Sequence, residues 1–267
     1  MDIVAGRFRA RLAETEEDVQ AAQRLRYRVF VEEMGAQASE AEHAARRETD
    51  AFDAFCDHLI LEDDSRETDD PLDRVIGVYR LLRRSVARKN GGFYTAAEFD
   101  LSPLEDYPQE TLELGRSCVD SEYRGGSAMQ LLWMALAQYI DGHDLGLLFG
   151  CASFHGTDLD ALAVPLAHLH HHHLAPEPLR ARVLPQHYHS LDLMPEDAID
   201  RREAMRAIPA LIKGYLRLNG FVGDGAYIDR DFNTVDVCLI METSRIADRY
   251  RKFYTGKTTG QMERILG

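Results

Sequence analysis

Residues 111–153 constrain the fold more than any other part of this chain. Thr111-Leu-Glu-Leu-Gly-Arg-Ser-Cys-Val119 is a short run of alternating apolar side chains that carries one carboxylate, Glu113, and one guanidinium, Arg116. Ser121-Glu-Tyr-Arg-Gly-Gly-Ser127 follows as a turn with adjacent glycines, and 128–140 has the spacing of a long apolar helix. Gly146-Leu-Leu-Phe-Gly-Cys-Ala-Ser153 is a continuous apolar run, as expected of a strand covered on both faces. Strand, crossover helix and strand make a βαβ unit, so 111–119 and 146–153 are expected to lie parallel. Such a unit places a charged pair, a glycine turn and a helix N-terminus together, which suits an anionic ligand beside a general base.

The flanking segments extend the sheet. Phe8-Arg-Ala-Arg-Leu-Ala13 reads as a strand, and Thr15 with Asp18 as a capping box opening a helix through Val19, Ala22, Leu25, Val29 and Phe30. Its end mixes arginines with aromatics, and a solvated basic face explains that as readily as a site does. Residues 35–49 read as irregular or weakly helical. Leu59–Leu61 and Val75–Leu82 are strands, as are Ala226–Asp229 and Val235–Met241 near the end. Pro209 suits the start of a helix over Ala210–Leu218, and Asn219-Gly220 its stop. The fold class is α/β, an α+β-type mixed sheet with helices on both faces. The length of 267 residues fits a single domain, 1–267.

Composition excludes several classes. A net charge of −14 argues against non-specific nucleic-acid binding. Cys56, Cys118, Cys151 and Cys238 show no paired spacing and read as reduced, buried thiols. The N-terminus lacks a secretory pattern, and no apolar run approaches the roughly 20 residues of a membrane span. A cytoplasmic location follows as an expectation, with peripheral contact at the inner membrane left open. The tail 244–267 carries six basic and two acidic residues. It reads either as an amphipathic helix on anionic lipid or as a solvated terminal helix.

Three further clusters stand out. Asp50-Ala-Phe-Asp53 precedes a strand, and its alternation with Phe52 and Phe55 suggests a partly buried acidic turn. Arg83, Arg84, Arg88 and Lys89 oppose the overall sign, which marks either a solvated face or a dock for an acidic partner. Residues 155–207 hold eight histidines and are read as a surface insert. No metal site is expected there, because ligand spacing of the HExxH kind is absent and neighbouring acids are sparse.

These segments, in this order, resemble the GNAT acyltransferase superfamily. Leu25-Arg-Tyr-Arg-Val-Phe30, Asp50/Asp53, Gly77-Val-Tyr-Arg-Leu-Leu82 and Glu113-Leu-Gly-Arg-Ser117 are similar to the ordered motifs of acyl-homoserine-lactone synthases. Gly115 stands where those enzymes carry serine, and Met34-Gly-Ala36 lacks their tryptophan. With Leu132-Trp133, Leu148-Phe-Gly-Cys-Ala-Ser-Phe154 and Pro209-Ala-Leu-Ile-Lys-Gly-Tyr215, the chain most resembles the L-ornithine N-alpha-acyltransferases over roughly residues 8–242. The resemblance implies transfer of a 3-hydroxyacyl group from acyl carrier protein to the alpha-amine of ornithine. Acyl-phosphopantetheine would be the co-substrate, with no separate cofactor.

It also implies roles. Glu113 would be the base, with Arg116 beside it as a catalytic partner or as its salt bridge. Arg26, Phe30, Asp50, Asp53 and Arg80 would bind the amino acid, or form a structural network of the same residues. Arg124, Gly125, Gly126 and Ser127 would hold the donor phosphate, and Arg83, Arg84, Arg88 and Lys89 the carrier protein. An enzyme like the lactone synthases, or a non-catalytic carrier or lipid binder, is the alternative.

Overall fold

The computed structural model describes residues 1–246. In chain order the strands are β1 (Asp2–Ala5), β2 (Phe8–Leu12), β3 (Asp57–Asp63), β4 (Val75–Arg83), β5 (Phe99–Asp100), β6 (Glu110–Val119), β7 (Leu145–His155), β8 (Arg182–Val183), β9 (Phe221–Val222), β10 (Tyr227–Asp229) and β11 (Thr234–Glu242). The described residues divide into two compact units, 1–86 with 114–144, and 87–113 with 145–246. The chain passes from the second to the first within β6, between Glu113 and Leu114.

In the first unit β1, β2, β3 and β4 are successive antiparallel neighbours, and β4 is followed by the C-terminal half of β6. Ile3 faces Ala10, Ala10 faces Leu61, and Leu61 faces Gly77. Helix Glu16–Arg26 opens with the capping box expected of Thr15 and Asp18, each side chain bonding the other's backbone N–H. Beyond Arg26 the helix widens into a π-helical segment, Tyr27–Glu33. Ala21, Ala22, Leu25 and Val29 lay an apolar stripe on Ile60, Val75, Val78 and Cys118. Helix Ala128–Gly142 buries Leu131, Leu132, Met134, Ala135 and Tyr139. Leu132 sits so near β4 that a Cβ on Gly77 would stand 2.9 Å from its Cδ1.

In the second unit the N-terminal half of β6 runs parallel to β7, with Leu112 beside Leu148 and Glu113 beside Phe149, as a βαβ connection requires. β7 pairs antiparallel with β11, and β11 with β10, so the expected closing strand pair is present. Leu147, Phe149, Cys238 and Ile240 pack with Phe99, Leu101, Leu104, Leu179 and Val183. The histidine-rich stretch 155–207 packs into this unit. Its helix, Ala163–His173, buries Leu166, Ala167, His168 and Leu169. β8 pairs with β5, and bridges join Leu174 to Val222 and His189 to Ala226. Residues 35–49 include one short helix, Glu40–Ala45. Of the basic tail 244–267, residues 247–267 lie outside the described residues.

Gly223 shows how tightly the loop after β9 is drawn in, since a Cβ there would stand 2.6 Å from the Ala181 carbonyl oxygen. Backbone cannot swing away as a side chain can. Gly223→Ala should therefore cost about 1–3 kcal/mol of stability, read from the urea midpoint; an unchanged midpoint contradicts this packing.

Candidate active site

Within the first unit, helix, loop and strands converge on a closed set of charges. Helix Glu16–Arg26 ends on Arg26, the strand β4 supplies Arg80, and β6 supplies Arg116. The loop 48–53 supplies Glu48, Asp50 and Asp53, with Asp50 and Asp53 capping a short turn reciprocally. The Arg26 guanidinium donates to both Asp53 oxygens, at 2.7 and 2.8 Å, to the Glu48 side chain, and to the Glu48 carbonyl at 2.7 Å. Arg80 donates to Asp50 and to Asp53, the latter at 3.2 Å. Arg116 donates to Glu48 at 3.2 Å and to Asp50 at 3.0 Å. Gln23 adds a bond to Asp53 at 2.9 Å. Three guanidiniums thus meet three carboxylates, a balance that burial demands.

Burial sets the electrostatics. It would raise the Asp53 carboxyl, but Arg26 and Arg80 hold it far below the usual carboxylate range. Burial likewise opposes ionisation of Asp50, and Arg80 and Arg116 hold it low. Arg26 is 1% exposed; burial disfavours its charge, yet Glu48 and Asp53 keep it above the ordinary arginine value. His58, whose ring bonds the Asp53 carbonyl, is pushed down by burial. Arg116 takes φ +50°, a left-handed conformation that stores about 1–3 kcal/mol in a non-glycine residue and persists where neighbours fix it. Here Glu48 and Asp50 fix it.

The structure thus brings Arg26, Asp50, Asp53, Arg80 and Arg116 together. Phe30, half-buried in the π-helical segment, packs against the apolar stripe below. Glu48 went unnoticed in the sequence, where the only signal is a third acid two residues ahead of Asp50. Arg116 donates to Glu48 and Asp50, and Glu113 accepts from backbone N–H groups.

Arg124, Gly126 and Ser127 line a cavity of about 540 Å³ with Gly6, Arg7, Phe8 and Tyr123; Gly125 is not part of its lining. Arg124 clasps Glu33, at 2.7 Å in one of its two bonds, and donates from Nε to the Val119 carbonyl at 2.9 Å. Gly125 takes φ +80°, which glycine adopts without strain, and Ser127 precedes the helix without a side-chain cap bond. Of the basic cluster, Arg83 lies 3.7 Å from Asp57, Arg88 donates to the Glu105 carbonyl, and Arg88 and Lys89 are exposed.

In the second unit Glu113 is 4% exposed, and its two oxygens accept the backbone N–H groups of Tyr94 (3.0 Å) and Thr95 (2.6 Å). The turn Tyr94–Ala97 therefore holds the carboxylate in one orientation. Beside Thr95, the Cys151 thiol donates to Glu98 at 3.1 Å. Burial, then Glu98, pushes that thiol well up, and burial, against the opposing pull of Arg26, pushes Cys118 up to about 12. Neither is a nucleophile near neutrality. The turn residues and Glu98 lie in a sequence stretch with no motif, so nothing there announces them.

Residues 25–134 match the family model described as an acetyltransferase (GNAT) domain. A protein of Rhodobacter capsulatus called L-ornithine N(alpha)-acyltransferase is 51% identical over 254 residues, covering 95% of this chain and 97% of that one. Proteins of the same name from Agrobacterium fabrum and Brucella abortus are 44% and 43% identical. These alignments cover 98% and 93% of this chain and 88% and 89% of theirs.

Two outcomes follow from the charge network. Arg26→Ala leaves Glu48 and Asp53 buried without their main cation, and should cost about 3–5 kcal/mol; a loss below 1 kcal/mol in denaturant unfolding contradicts the network. The pKa shifts of His58, Asp50 and Asp53 share one sign, each binding fewer protons folded than unfolded. Stability should be full above about pH 6.5 and fall as His58 of the unfolded chain takes a proton. It should fall further below about pH 4, lost as the pH drops toward the folded values of Asp50 and Asp53. A urea midpoint independent of pH between 7 and 3.5 rules this out.

Proposed function

The chain belongs to the L-ornithine N(alpha)-acyltransferases, enzymes with a GNAT-type domain, and from that membership we propose what it does. It transfers a 3-hydroxyacyl group from the thioester of an acyl carrier protein to the alpha-amine of L-ornithine, the first step of ornithine-lipid synthesis. The observation that carries this reading is the identity sustained over nearly the whole of both chains. The geometry supports it with a buried, oriented carboxylate on the strand that carries the resemblance.

The reaction needs little covalent help. The acceptor amine arrives as ammonium, and Glu113 takes its proton, directly or through one water. The freed nitrogen attacks the thioester carbon, the C–N bond forms, and the carbonyl electrons move to oxygen. On collapse the C–S bond breaks, the second nitrogen proton passes to the departing thiolate, and the proton held by Glu113 leaves to solvent, giving amide and free phosphopantetheine thiol. No acyl-enzyme is involved, in keeping with the raised thiols of Cys118 and Cys151.

Ornithine carries a carboxylate and two ammonium groups. Within the network Asp50 and Arg116 are the outer members, their side chains 20% and 10% exposed against 1% for Arg26 and 7% for Asp53. Asp50 therefore meets an ammonium and Arg116 the carboxylate, while Arg26, Asp53, Arg80 and Phe30 hold them in place. Arg124, Gly125, Gly126 and Ser127 receive the donor phosphate, at the cavity lined by Arg124, Gly126 and Ser127. Arg83, Arg84, Arg88 and Lys89 form the dock for the acidic carrier. Among the described residues no helix is long and apolar enough to cross a membrane.

The direct assay mixes purified protein, labelled ornithine and either a 3-hydroxyacyl carrier protein or the matching CoA thioester. N-acylornithine should form with the carrier-bound donor. Acylation of S-adenosylmethionine instead of ornithine would establish the lactone-synthase alternative. Glu113→Gln should lower turnover about 10²–10⁴-fold with an unchanged circular-dichroism spectrum; wild-type turnover removes Glu113 as the base.

A further inference from the structure

The histidine-rich helix has a partner that its sequence does not reveal. Helix Ala163–His173 turns His168 inward, 2% exposed, where burial and His172 bring its pKa down to about 4, so it stays neutral. His170 and His171 lie on the flank of the same helix, half-buried, and the chain returns to them at Asp192. Leu191 is fully buried, and the Asp192 N–H donates to Ser190 Oγ at 3.0 Å, so the turn that carries this carboxylate is anchored.

The distances among these groups are those of shared ligation. His171 Nε2 stands 3.4 Å from Asp192 Oδ1, and His170 Nε2 stands 4.0 Å from Asp192 Oδ2. The first is at the limit of a hydrogen bond and the second is beyond it. Two ligand atoms on a tetrahedral ion, each bonded at about 2.0–2.1 Å, stand about 3.3 Å apart. One donor atom from each of the three residues falls within 4.8 Å of the others. His171 Nε2 donates to the Met194 carbonyl at 3.1 Å, and a bound ion would take the place of that proton. His170 Nδ1 is buried without a hydrogen-bond partner, so that ring meets outside groups through Nε2.

We propose that His170, His171 and Asp192 bind one divalent late first-row transition ion of the Zn²⁺ class, which fastens the helix Ala163–His173 to the turn at residues 190–194. Two imidazoles and one carboxylate suit zinc, copper or nickel, whereas calcium and magnesium take all-oxygen sets. The site needs both Nε2 atoms deprotonated. Its place in the chain, about 20 residues between helix and carboxylate, is why ligand spacing alone does not expose it.

The test uses the full chain, stripped with EDTA, dialysed free of chelator and titrated with Zn²⁺ against a chromophoric competitor. One saturable site per chain is expected, with a rise in melting temperature on loading. His171→Ala and Asp192→Asn should each weaken that site at least about tenfold, the scale set by loss of a supporting partner alone, and should abolish the thermal shift. Asp192 is exposed and its amide keeps the shape, so apo Asp192→Asn should melt with apo wild type and report on ligation alone. His172→Ala should retain the site, although it is the next histidine of the run. Absence of a stoichiometric site in wild type, wild-type affinity in Asp192→Asn, or equal losses in His172→Ala and His171→Ala would each overturn the assignment.

Discussion

The bidentate pair between Arg26 and Asp53 is the interaction on which the first unit depends. A guanidinium that is 1% exposed has no water to turn to, so the carboxylates of Asp53 and Glu48 must be where they are. That requirement fixes the loop 48–53 against the end of helix Glu16–Arg26. Arg80 and Arg116 then close the set by sharing the same acids. Pairing of this kind adds little net stability beyond what an apolar core would give, yet loss of any one member leaves a buried charge. The gain is definition: Arg116 holds a left-handed backbone at the point where β6 passes from one unit to the other.

Glu113 is governed by different physics. Backbone N–H groups of Tyr94 and Thr95 orient its carboxylate, and they come from a turn with no charge of its own. The division of labour proposed for the enzyme follows: the arginine–carboxylate network gives shape and binds an amino acid at its outer edge, and the oriented carboxylate moves the proton.

The parts legible in the sequence were those written in local periodicity. Thr15 and Asp18 gave the helix start, 111–119 and 146–153 gave a parallel pair, and 226–229 with 235–241 gave the closing ladder. Family resemblance brought Arg26, Asp50, Asp53 and Arg80 to notice, but their bonding to one another joins residues up to 30 positions apart and needs coordinates. Glu48 escaped because an acid on a polar loop carries no periodic signal. The partners of Glu113 escaped because a backbone N–H has no letter. The histidine run shows the same limit: its spacing is visible, but Asp192 meets it only through the turn anchored by Leu191.

A crystal structure of the chain with ornithine and a non-hydrolysable acyl-pantetheine tests the central claim most directly. The account predicts the alpha-amine within about 2.6–3.2 Å of a Glu113 oxygen, or joined to it by one water. An alpha-amine bound among Glu48, Asp50 and Asp53, with Glu113 touching neither amine nor bridging water, would contradict it.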